Sequence, residues 1–275
     1  MFKTIIKYII HLNFVIATSA GLLIAGICNV FLIENDLYYG FFGFFSTLFV
    51  YNSQRLFKAN IETKTVWLKW VYQHRKIIFF LSISSGIISG YLFFKLLNKV
   101  TPIIVLLFIL AIMISLFYVI KIKGRSLREL PYVKIHSIAL TWTLVIVSFP
   151  ILNENIYDLD ILLIFIPANY IYFVAVAIPF DIRDLKHDSL TQRTIPQVVG
   201  IRNSKLISIL LLISTALGIG IVFPNILKTL TFVIALSTQI TLIVFTTVNR
   251  QEIYYSLLID GAIALLGISY LTINN

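Results

Sequence analysis

Charge is what this 275-residue sequence has least of. Asp, Glu, Lys and Arg make up 12% of it, about half the share in a soluble domain, where roughly 25% is usual. Hydrophobic residues reach 59% and the mean hydropathy is +0.94. The length would accommodate one or two soluble domains, but the apolar runs leave no room for one, so residues 1–275 read as a single integral-membrane domain. Cysteine is nearly absent: Cys28 stands alone in an apolar run, which excludes an intrachain disulfide framework and leaves it as a small packing residue. No Gly-rich loop follows a strand, no Cys/His spacing suits a metal, and no Ser-His-Asp order is present. Nor is there an internal repeat or a low-complexity tract. Acids are scarce too, 12 against 22 basic residues. The resulting net charge of +10 does not mark a nucleic-acid partner, because the basic residues are parcelled out between apolar runs.

What is present is a succession of apolar stretches of membrane-spanning character. A spanning helix needs about 20 mostly apolar residues. Nine stretches qualify or nearly so, at Ile9–Ile33, Tyr38–Val50, Ile77–Leu97, Pro102–Ile120, Val133–Leu152, Ile161–Phe180, Leu206–Phe223, Leu227–Val248 and Ile253–Leu271. The first follows Lys3 and Lys7 but runs on too long for a signal peptide, whose apolar core is about 7–15 residues. The second is short, and its helix is expected to continue through the polar Asn52–Phe57 segment. With the N-terminus inside, all but Lys95, Lys99 and Lys228 of the 22 basic residues fall on the cytoplasmic side, as the positive-inside rule requires. The expectation is an all-α, multi-pass bundle of about nine transmembrane helices in a bacterial-type inner or plasma membrane, with the lipid bilayer as its solvent.

The acids are concentrated in one place. Asp181, Asp184 and Asp188 lie within eight residues, directly after the apolar run Ile161–Phe180. Their spacing of i, i+3, i+7 puts all three carboxylates on one helix face. Three like charges at a membrane boundary repel one another, so a positive partner is expected. Carboxylate oxygens suit Mg²⁺, which commonly takes one or two carboxylates together with phosphate oxygens. Asp184 and Asp188, four residues apart, suffice for one such ion. The plainer reading is a solvated loop whose acids pair with Arg183, Lys186 and Arg193.

The stretch Asp181–Gly200, D-x-x-D-x-x-x-D followed by Arg193-Thr-Ile-Pro196 and Gly200, resembles the second aspartate-rich motif of the UbiA-type intramembrane prenyltransferases. That resemblance implies a UbiA-like bundle whose Asp181, Asp184 and Asp188 bind Mg²⁺ and, through it, the diphosphate of an isoprenyl donor. It also implies a first aspartate-rich motif after the second helix. Asn52 matches that motif's Asn, but its acid positions hold Ser53, Leu56 and Asn60. Arg55 and Lys58 stand there instead and are candidates to receive the diphosphate directly, since Arg and Lys bind phosphate without metal. A third cytoplasmic segment is similar to the family's too, with Tyr118, Lys123 and Lys134 in matching roles, and Lys123, Arg128 and Lys134 are further candidates to bind the diphosphate, which needs several converging cations.

The implied activity is transfer of an isoprenyl group from its diphosphate to an unidentified acceptor, aromatic or a quinone precursor. Cyclisation of the isoprenoid is the related outcome, and a non-catalytic lipid or diphosphate binder is the alternative that the missing first-motif acids favour. A transporter fits less well, because the charges gather on one membrane face. Several polar residues lie within apolar runs, notably Asn13, Asn169, His136 and Asp260. Asp260 is expected near the site, orienting a cation, accepting a substrate proton or pairing with Arg250. His136 is expected as a hydrogen-bonded core residue.

Overall fold

The computed structural model describes residues 2–59, 66–122 and 124–273. Eleven helices are present among them: α1 Phe2–His11, α2 Phe14–Val30, α3 Asp36–Lys58, α4 Val66–Gln73, α5 Arg75–Leu96 and α6 Pro102–Phe117. They continue with α7 Val133–Asn153, α8 Ile161–Asp184, α9 Ile195–Val222, α10 Leu230–Val244 and α11 Tyr254–Leu271. The described residues contain no β-strand, only a bridge between Ile122 and Arg125. The expectation of an all-α chain therefore holds.

Five of these helices, α5, α7, α8, α9 and α11, are long and apolar enough to cross a membrane. The pair Ile5–His11 and Phe14–Val30, bent by 60°, makes a sixth if it is counted as one span. α6 and α10 are apolar but shorter. Each of the nine apolar stretches is largely helical, and helix length and composition among the described residues support five or six crossings; α3 is long enough at 23 residues but less apolar.

Burial is arranged as in a bundle bathed in lipid. On α5 the buried residues include Ser82, Ser85 and Ser89, while Phe79, Phe80, Ile87, Tyr91 and Phe94 face outward. On α9 Ser204, Ser208 and Thr215 are buried while Leu206, Leu210, Leu217 and Ile221 are exposed. Without a hydrophobic drive between helices, small and hydroxyl side chains that admit close approach make the better interface.

Ser208 illustrates the chemistry. Pro179 inside α8 has no N–H to give to the carbonyl four residues earlier. That carbonyl belongs to Ala175, and Ser208 Oγ donates to it at 2.7 Å across the helix pair.

Helices that follow one another in sequence are neighbours from α6 to α11, and α11 closes on α2, which also packs on α3. Phe42, Phe93, Phe108 and Phe149 bring α3, α5, α6 and α7 together through ring contacts of 4.6–6.4 Å. The closure of α11 on α2 depends on glycine. A Cβ on Gly267 would lie 2.5 Å from the carbonyl carbon of Leu22, which is backbone and cannot swing aside.

Gly267→Ala should therefore destabilise the protein by about 1–3 kcal/mol, the range for overpacking. Gly90, with nothing within 4 Å of the position its Cβ would take, should accept Ala with unchanged or slightly higher stability. Thermal unfolding of both variants in detergent checks the pair; equal melting temperatures would remove the close-approach account.

Candidate functional site

A cavity of about 590 Å³ opens between α2, α3, α7, α8 and α11. Its size lies within the range of small-molecule sites, roughly 300–1,000 Å³. One part is apolar, walled by Ile16, Ile138, Trp142, Phe173, Val176 and Ile263. The other is charged. Arg55, Lys58, Arg128, Lys134, Arg183 and Arg250 line it from the basic side, and Asp181, Asp184, Asp188, Glu252 and Asp260 from the acidic side.

The acid triad is built by the end of α8. Asp181 and Asp184 are its last inward-facing residues. The helix stops at Asp184, but the backbone N–H of Asp188 still donates to the Asp184 carbonyl at 2.8 Å. One further turn therefore keeps Asp188 on the same side, and the expected common face is present.

The positive partner is Lys134, in the first turn of α7. Its Nζ lies 3.0 Å from Asp181 Oδ1 and 3.4 Å from Asp184 Oδ2, and it donates to Asp188 Oδ2. Arg183 grips Asp184 with two bonds, Nε to Oδ1 at 2.7 Å and Nη2 to Oδ2 at 3.2 Å. Arg128 Nη2 stands 3.6 Å from Asp188 Oδ1. Of the partners that a solvated loop would use, only Arg183 is engaged. Lys186 donates to Asn249 Oδ1 instead, and Arg193 makes no ion pair among the described residues. The cluster is not a solvated face: Lys134 is 4% exposed and Asp181 3%.

These residues do not fit a resident Mg²⁺ ion. The point that faces all three carboxylates is taken by the Lys134 ammonium. Among the described residues no three His, Cys, Asp or Glu side chains are disposed to hold a metal. One triad oxygen, Asp181 Oδ2, is buried without a hydrogen-bond partner; a Mg²⁺ ion, which commonly takes one or two carboxylates with phosphate oxygens, would have to displace Lys134 or Arg183 from the others.

The other expected site residues divide. Arg55 and Lys58 line the cavity from the end of α3. Arg55 Nη1 donates to the His11 carbonyl at 2.8 Å, and its guanidinium lies 3.5 Å over the Trp67 ring. Tyr118 stands between two cations, with Lys58 Nζ 4.9 Å and the Arg128 guanidinium 5.7 Å from its ring centroid. Asp260 lines the cavity just after a π-helical turn, Tyr254–Ile259.

Arg250 is turned elsewhere, its Nε donating to the Phe245 carbonyl and its guanidinium over the Tyr254 ring, so it does not serve as the salt-bridge partner expected for Asp260. Glu252, at the same mouth, was not anticipated from sequence because nothing in its flanks marks it. Burial pushes its carboxyl above the usual range, against the pull of Arg183 and Arg55.

Asn52 is set apart from this group. It is fully buried, accepting from Asn13 Nδ2 at 2.8 Å and donating to the Leu12 carbonyl at 3.0 Å. Both of its polar atoms are thus consumed in stabilising the break between α1 and α2, where Asn13 is left-handed at φ 64°. That leaves Asn52 off the cavity wall, and the expected diphosphate contact is corrected on this ground. His136 is corrected as well: it is hydrogen-bonded, to the Tyr170 hydroxyl at 2.6 Å, but on the outer face rather than in the core. Lys123 and Asn60 lie outside the described residues.

Removing the central cation should be severe. Lys134→Ala leaves three carboxylates facing one another at a buried site, an expected loss of about 3–5 kcal/mol. Adding Asp181→Asn and Asp188→Asn should restore much of it. Thermal unfolding of the single and triple variants measures this, and a Lys134→Ala protein as stable as the parent would mean the triad is hydrated.

No protein-family model matches this sequence, and neither a curated protein nor a solved structure does, so the family resemblance rests on Asp181–Gly200 and the layout of the chain.

Proposed function

We propose that the chain is a UbiA-like intramembrane prenyltransferase, moving an isoprenyl group from its diphosphate to an acceptor. The observation that supports this most is the division of one cavity into a charged mouth and an apolar, aromatic-walled chamber. A ligand that satisfies both has an anionic head and an apolar tail, as an isoprenyl diphosphate does. The proposal includes nine crossings, with the bent α1–α2 pair, α3, α6 and α10 added to the long helices. It places the N-terminus and the charged mouth on the cytoplasmic side.

In this reading the bond between the allylic carbon and the diphosphate oxygen breaks, and its electron pair leaves with the diphosphate. Lys58, Arg128 and Arg55 stabilise the charge that develops there, the effect expected to dominate such catalysis. The allylic cation is left in the chamber of Trp142, Phe173 and Ile138, away from water. A nucleophilic atom of the acceptor, aromatic or a quinone precursor, forms the new bond to carbon. Asp260, at the chamber edge, is placed to take the proton the acceptor loses.

A second reading, a non-catalytic binder of a lipid diphosphate, is favoured by one specific feature: Ser53 and Leu56 occupy the positions where acids would be required.

Release of inorganic diphosphate from farnesyl and geranylgeranyl diphosphates, with an aromatic acceptor present, separates the two. Turnover is expected, with Arg128→Ala lowering it by about 100-fold, the effect of losing one charge-stabilising donor. Binding without release points to the binder, and absence of binding removes both readings.

The topology is tested by cysteine labelling. Ser189→Cys should react from the inner side only and Asn155→Cys from the outer side only. Background is low because the native Cys28 is buried. Labelling of position 189 from outside would reverse the orientation.

A further inference from the structure

The two charged walls of the cavity are organised in opposite ways. On the α8 wall every carboxylate already faces a fixed cation: Lys134 touches all three, Arg183 clamps Asp184 and Arg128 lies beside Asp188. A divalent ion is attracted by carboxylate charge that nothing else neutralises, and it takes one or two carboxylates together with phosphate oxygens and water. That charge is already met here, since Lys134 sits buried at the focus of the triad and only Asp181 Oδ2 is unpartnered.

On the α3 wall the reverse is true. Among the described residues Arg55 and Lys58 make no ion pair. Arg55 is held in place by the His11 carbonyl and the Trp67 ring, and Lys58 rests against the Tyr118 ring. These contacts orient two cations without discharging them. Glu252 and Asp260 line the same cavity, but neither is at ion-pair distance from Arg55 or Lys58, and cations held there without a contacting carboxylate are expensive unless an anion completes the site.

We infer that this cavity binds the diphosphate of its lipid ligand without a resident Mg²⁺ ion. Arg55 and Lys58 receive the phosphate oxygens directly, and Lys134 takes the place of the metal at the focus of the acid triad, whose charge it balances together with Arg183 and Arg128. The inference rests on the isoprenyl diphosphate reading and adds to it the chemistry of recognition. It also accounts for the exchange of residues along the chain, because a wall that carries Arg55 and Lys58 has no use for acids at Ser53 and Leu56.

The test uses the full chain in nanodiscs with farnesyl diphosphate as the probe. Its Kd is measured with excess Mg²⁺ and with EDTA. The two values are expected to agree within about threefold, and Lys58→Ala to weaken binding about tenfold in both conditions, which corresponds to ~1.4 kcal/mol. A second readout is the unfolding temperature without ligand. Mg²⁺ should leave the wild type unchanged but raise that of Lys134→Gln, whose carboxylates have lost their ammonium. Should that variant fail to fold, the wild-type Kd pair and Lys58→Ala decide the matter alone.

A Kd that rises about 100-fold or more on chelation, an energy of ~2.7 kcal/mol, overturns the inference and leaves the diphosphate reading standing. So does a rise in the wild-type unfolding temperature with Mg²⁺. If farnesyl diphosphate binds in neither condition, the diphosphate reading fails and the inference goes with it.

Discussion

A buried ammonium that holds three carboxylates is the constraint from which the rest of this structure follows. Charges removed from water must be neutralised where they stand, because the penalty of leaving one unpaired is several kcal/mol. Lys134 belongs to α7 and the acids to the end of α8, 47 to 54 residues further along the chain. Their pairing fixes how far α7 and α8 slide past each other and which faces they present. The apolar chamber walls Ile138, Trp142, Phe173 and Val176 lie on those same two helices, one to three turns below the charges. Setting the charged register therefore also sets the shape of the chamber.

The same neutralisation divides the labour within the cavity. The acid wall is balanced internally, whereas the α3 wall keeps two cations anchored by a carbonyl and by aromatic rings. Such rings suit the purpose: a cation over an aromatic face is attracted by about 0.5–2 kcal/mol, enough to orient it and far less than a carboxylate would take. Arg128 faces both Asp188 and the Tyr118 ring, so it stands between the balanced wall and the unbalanced one. A second cavity of about 490 Å³, lined by Lys58, Lys121, Arg125, Arg128 and His187 among others, shares this boundary. The charged mouth thus adjoins a second cavity that shares Lys58, Arg128, His187 and Asp188 with it.

Much of this was legible in the sequence, for identifiable reasons. Apolar runs of spanning length give helices because backbone groups in lipid have no other partners, and each expected run is largely helical. The i, i+3, i+7 spacing placed the three aspartates together because a period of 3.6 residues allows little else. What escaped were features decided by contacts between distant segments. The spacing demanded a positive partner but could not say that Lys134, rather than a bound ion or the neighbouring Lys186 and Arg193, would reach the triad. Asn52 looked like a ligand because it heads a motif, and only the break at Asn13 shows that its amide is needed there. His136 followed the rule that polar groups point inward, and its bond to Tyr170 on the outer face is a local exception. Of the nine expected crossings, five or six have helices long and apolar enough among the described residues, because α6 and α10 are short and α3 carries polar and charged residues at its end.

The glycine contact between α2 and α11 joins segments about 240 residues apart, and Ser19 Oγ bonds the Asp260 carbonyl across the same seam at 2.7 Å. During synthesis, α2 enters the membrane long before its partner is made. The cavity must therefore exist for a time with one wall missing, its charged residues open to lipid or to the insertion machinery. The cavity closes only when α11 arrives against α2. A chain stalled before α11 leaves the receiving face of α2 uncovered, with Ser19 unpaired and one wall of the charged cavity open.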